Sequence, residues 1–79
     1  MRNVLRIDLH RVRHEDVRNK VIRFIEKNWA SKLEAEIVTG NSSIMQKLVM
    51  EVLDEYKLSY QISRMFDPYN QGYIVTWLE

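Results

Sequence analysis

Asp8 and His10 stand two positions apart in RIDLHRVR (6–13), where an alternating stretch turns strongly basic. A carboxylate beside an imidazole is a pairing that acid–base chemistry uses: one group moves a proton, the other orients it or binds a metal. A second stretch, TGNSS (39–43), carries Thr39, Gly40, Asn41, Ser42 and Ser43 ahead of an apolar-periodic segment. The start of a helix offers free N–H groups and a favourable dipole to an anion. Gly40 permits close backbone approach or a positive φ. Cleavage of a phosphodiester needs such parts: a base, an acid for the leaving oxygen and donors for the developing charge.

Each residue also has a plainer role. An Asp at a strand end is commonly a turn or cap residue. A lone histidine is commonly a surface residue, and Ser42 and Ser43 suit helix capping. They sit in no nucleophile-elbow pattern. His10 and His14 have i, i+4 spacing, but the first ends an expected strand and the second opens an expected helix. No Glu takes the metalloprotease position, so zinc is not expected.

The elements that must position these residues are legible from periodicity. VLRIDLH (4–10) alternates, with Leu5, Ile7 and Leu9 on one side, as a strand with one buried face does. HEDVRNKVIRFIEKNWA (14–30) has Val17, Val21, Phe24, Ile25 and Trp29 at helical spacing, with Glu15 and Asp16 in the first turn. EAEIVT (34–39) reads as a second strand. SSIMQKLVMEVLDEYK (42–57) reads as a second helix on Met45, Leu48, Val49, Val52, Leu53 and Tyr56. Ser43 and Gln46 fit a capping box, with Asn41 and Ser42 as alternative caps. SYQISRMF (59–66) and GYIVTWL (72–78) read as a hairpin across DPYNQ. The order β-α-β-α-β-β predicts an α/β two-layer sandwich: a four-stranded mixed sheet with two helices on one face. Ligands of parallel α/β units sit beyond the strands' carboxyl ends. Here that places DLH beside TGNSS if the first two strands are neighbours.

A chain of 79 residues is one small domain, 1–79. Without cysteine it has no disulfide or thiolate metal site. No run approaches the ~18 apolar residues of a membrane span. Arg2, Asn3, Arg6 and Asp8 interrupt any signal-peptide core, so a soluble, cytoplasmic protein is expected. Residues 1–23 carry seven Lys or Arg against three acids; residues 24–79 carry five against eight. A basic end on a nearly neutral domain suits contact with a phosphate backbone, or is simply a solvated surface.

IDLH (7–10), an amphipathic helix, a strand, TGNS (39–42) and a second amphipathic helix resemble the Smr (small MutS-related) domain family. The ending GYIVTWL also fits that family's last strand, and the likeness runs from about residue 5 to 78. It implies a single free-standing domain with a fold of the initiation-factor-3 C-terminal type. It also implies nucleic-acid binding, often with endonuclease or nicking activity on DNA or RNA. Asp8 and His10 match positions linked to cleavage, and Thr39 and Gly40 match the substrate loop. Two family glycines are replaced, one by Arg11 and one by Ser42.

The expected function is therefore nucleic-acid binding with hydrolysis of phosphodiester bonds. Asp8 and His10 would be catalytic. Arg6, Arg11, Arg13, Thr39, Gly40, Asn41, Ser42 and Ser43 would bind substrate, with Arg2 on a flanking phosphate. No cofactor is required by the sequence, and a divalent metal at Asp8 is compatible with it. The alternative is a catalytically inactive adaptor for RNA, the ribosome or a protein. A third reading uses Tyr73 and Trp77 on the open sheet face, to stack bases or to form a homodimer.

Overall fold

The computed structural model describes residues 4–63 and 72–78. The elements are β1 (Val4–Asp8), α1 (His14–Lys27), β2 (Glu34–Val38), α2 (Ser43–Glu55), β3 (Tyr60–Ile62) and β4 (Tyr73–Trp77). Their order is the expected β-α-β-α-β-β. They form one open mixed sheet in the order β1-β2-β4-β3. β1 and β2 are parallel neighbours; β4 runs antiparallel to both β2 and β3. The connection DPYNQ and the end of the expected third strand lie outside the described residues.

Cross-strand register assigns the faces. Leu5 pairs with Ala35 and Ile7 with Ile37, and Ile37 in turn faces Ile74. With Leu9 and Leu78 these residues meet Val17, Val21 and Ile25 of α1, and Met45, Val49, Val52 and Leu53 of α2, in one apolar core. The helices also touch each other, so both cover the same face. Leu5 and Ile7 are only half-buried because β1 is an edge strand, whereas Leu9, just past its end, is fully buried.

Both helices are shorter than their apolar periodicity suggests. α1 stops at Lys27, where Asn28 caps it and Ala30 takes φ 65°, a value helix cannot continue through. Trp29 therefore leaves the apolar stripe expected of it. It is 47% exposed and rests on Tyr56, with ring centroids 5.8 Å apart. α2 ends in a Schellman motif: Leu58 N–H donates to the Leu53 carbonyl, Lys57 N–H donates to that of Asp54, and Lys57 sits at φ 56°.

The face away from the helices is less open along β4 than alternation alone implies. Val75 is fully buried, Tyr73 nearly so and Trp77 half-buried. Among the described residues no helix is long and apolar enough to cross a membrane.

Candidate nucleic-acid interface

The parallel register brings the two sequence-marked loops together. Asp8 is opposite Val38, and Leu9 N–H donates to the Val38 carbonyl at 2.9 Å. His10 and Gly40 then each stand two residues beyond that last pair, on adjacent strands. The His10–Arg11 and Gly40–Asn41 segments thus leave the same end of the sheet side by side.

The first loop is a tight turn. Val12 N–H donates to the Leu9 carbonyl at 3.0 Å, with His10 and Arg11 between them. Arg11 has φ 70° and His10 does not have a positive φ. That combination is a type II turn, which favours glycine at Arg11's position. Asp8 supports the turn: its Oδ1 accepts from the His10 backbone N–H at 2.8 Å. This is an Asx turn, the ordinary use of an Asp at a strand end. His10 and Arg11 are exposed. Among the described residues the His10 imidazole has no hydrogen-bond partner to orient it.

The second loop is braced from inside. Thr39 is buried, and its N–H donates to the Gly72 carbonyl at 2.8 Å, as does the Gly40 N–H. The Thr39 hydroxyl lies 2.9 Å from the Gly40 carbonyl and 3.3 Å from that of Gly72. The Thr39 and Gly40 N–H groups, both expected at a substrate loop, are engaged with β4's entry. Gly40 has φ 68°, and a Cβ there would meet nothing within 4 Å. Backbone conformation, not crowding, therefore calls for glycine at this position. Ser42 is the helix cap, its Oγ accepting from Met45 N–H at 3.1 Å. Asn41 and Ser43 are exposed. The N–H groups of α2's first turn that precede Met45 point past this cap toward the loop.

The arginines divide. Arg6 lies on the sheet face away from the helices, exposed and opposite Glu36. Arg13 is the N-cap residue of α1, without a side-chain cap bond, and lies 3.6 Å from Glu15. Arg11 is the cation closest in sequence to the His10 turn. Arg2 lies outside the described residues.

Among the described residues no three His, Asp or Glu side chains converge to hold a metal ion. Asp8 brings one carboxylate, with one oxygen already accepting a hydrogen bond. A divalent ion there would need its other ligands from water and phosphate.

The chain matches no family model, no curated protein and no solved structure. Fold and site therefore define a class: a small α/β domain with a four-stranded mixed sheet and two neighbouring strand-end loops. One of these loops is exposed and cationic; the other leads into a capped helix.

Proposed function

We propose that this domain binds nucleic acid at the β1 and β2 ends and cleaves a phosphodiester there, with His10 as the acid–base group. One observation carries the reading: the parallel register that sets exposed His10 and Arg11 beside Gly40, Asn41 and the start of α2. Imidazole is the side chain whose proton exchange suits neutral pH. Arg11 supplies positive charge and the first-turn amides of α2 supply donors for a phosphate. The motif resemblance to Smr domains points the same way.

The second reading is a non-cleaving adaptor that grips nucleic acid with the same surface. It is favoured by Asp8, whose carboxylate oxygen is engaged in the turn and is not seen orienting His10.

Incubation with labelled single- and double-stranded DNA and RNA separates the two, with and without divalent metal. Cleavage by the wild type that His10→Ala abolishes is the expected result. Tight binding without cleavage leaves the adaptor. Binding that does not weaken from low to moderate salt would sink both, because phosphate contacts release counterions.

A further inference from the structure

β1 is an edge strand, and α1 follows it after the His10 turn. Between them runs a groove of about 300 Å³, lined by Ile7, Asp8, Val12, Lys20, Arg23 and Phe24. That volume is at the lower end of ordinary ligand sites. Ile7, Val12 and Phe24 are half-buried and supply an apolar wall. A second depression of similar size continues along α1 past Asp16 and Asn19 and shares Lys20 and Arg23 with the first.

Lys20 and Arg23 are i, i+3 on one helix face, so their charges converge. Both are exposed, and neither pairs with a described acid. The groove begins at Asp8, the residue that ties the His10 turn. It is thus continuous with the proposed cleavage site. Asp8 stands at one end of this path and Asp16 along the other. Two carboxylates around two cations repel a bare polyphosphate. They tolerate a chain in which each phosphate is separated by a sugar and a base, whose hydroxyl and amino groups a carboxylate can accept from. An apolar wall beside cations is also what an unpaired nucleotide uses.

We propose that this β1–α1 groove holds one nucleotide of a single strand flanking the cleaved bond, its phosphate on Lys20 and Arg23 and its base or sugar against Val12 and Phe24. The inference rests on the nucleic-acid reading above and extends it to residues outside both strand-end loops.

The test is binding of short labelled single-stranded RNA and DNA to the full chain across a salt series. It uses the wild type, Lys20→Ala/Arg23→Ala, and a control, Lys32→Ala/Lys57→Ala. The control removes two charges outside the groove, one ahead of β2 and one past the C-terminus of α2. Losing two phosphate contacts should weaken binding roughly tenfold at low salt and lower the salt slope by about 1.4. The control should bind within about twofold of the wild type with an unchanged slope. If the groove variant keeps the wild-type slope, or the control loses as much, the groove assignment is wrong while the strand-end site stands. If the wild type itself shows no salt-dependent binding, both fail. Inorganic polyphosphate is the last arm. It should compete poorly with the oligonucleotide at equal phosphate; equal competition would overturn the nucleotide assignment.

Discussion

Arg11 at φ 70° and Gly40 at φ 68° sit in loops that leave neighbouring strands at the same end of the sheet. The β2–α2 loop meets its positive φ with glycine and is pinned by Gly72, Thr39 and the Ser42 cap. The β1–α1 loop meets the same backbone demand with an arginine, is held by Asp8, and exposes two ionisable side chains. The first arrangement fixes a backbone. The second accepts the same positive φ at a residue with a side chain, as Ala30, Lys32, Lys57 and Ser63 also do elsewhere in the chain, and here the side chain is an exposed cation beside His10.

The anchor of the exposed loop offers the largest effect. Leu9 is fully buried in the core, yet adjoins exposed His10. Leu9→Ala should cost about 2–5 kcal/mol of stability by chemical denaturation. His10→Ala should leave the unfolding midpoint nearly unchanged and act on cleavage alone. Equal destabilisation by the two would mean that His10 is structural, and the contrast between anchor and reactive residue would collapse.

The two positive-φ residues should respond in opposite directions. Gly40→Ala has room for its methyl group, so it should lose only about 1–2 kcal/mol of stability, the cost of the introduced backbone strain. Arg11→Gly releases similar strain, offset in part by the greater freedom of glycine in the unfolded chain. A gain of roughly 0.5–1 kcal/mol is expected. That variant should nevertheless bind nucleic acid less tightly. Arg11→Gly giving both lower stability and unchanged affinity would reverse the interpretation of this loop. Within the braced loop, Ser42→Ala should cost about 1 kcal/mol through loss of the helix cap.

Much of this organisation was legible in the chain because it is written in period. Alternation in VLRIDLH and the three- and four-residue spacing after Ser43 placed every element in its observed order. What was not legible depends on partners distant in sequence. That Thr39 donates to Gly72 depends on β4 pairing beside β2. Trp29 fitted the apolar stripe, but the helix ends before reaching it. Ser43 began a plausible capping box, yet Ser42 supplies the cap. The pairing of Lys20 with Arg23 has no sequence signal, because their shared groove exists only once α1 residues meet Ile7 and Asp8 of β1.

The smallest effect concerns how the helices behind the two loops are held together. Arg18 of α1 donates two hydrogen bonds to the Glu55 carboxylate of α2, at 2.7 and 2.5 Å. These bonds hold Glu55 below the usual carboxylate range, against the opposing influence of burial, and raise Arg18. The folded chain therefore binds Glu55's proton less tightly than the unfolded chain. The pair's contribution is complete above the ordinary carboxylate pKa and disappears as pH falls through the lowered one. Both side chains are about half exposed, so solvent and salt weaken the contribution. Glu55→Gln should flatten the acid limb of a stability–pH profile slightly and leave nucleic-acid binding unchanged. Superimposable acid limbs would show that the pair adds nothing. A loss of binding in Glu55→Gln would show that the two loops depend on how tightly their helices are joined, and that the exposed loop is not a locally determined site.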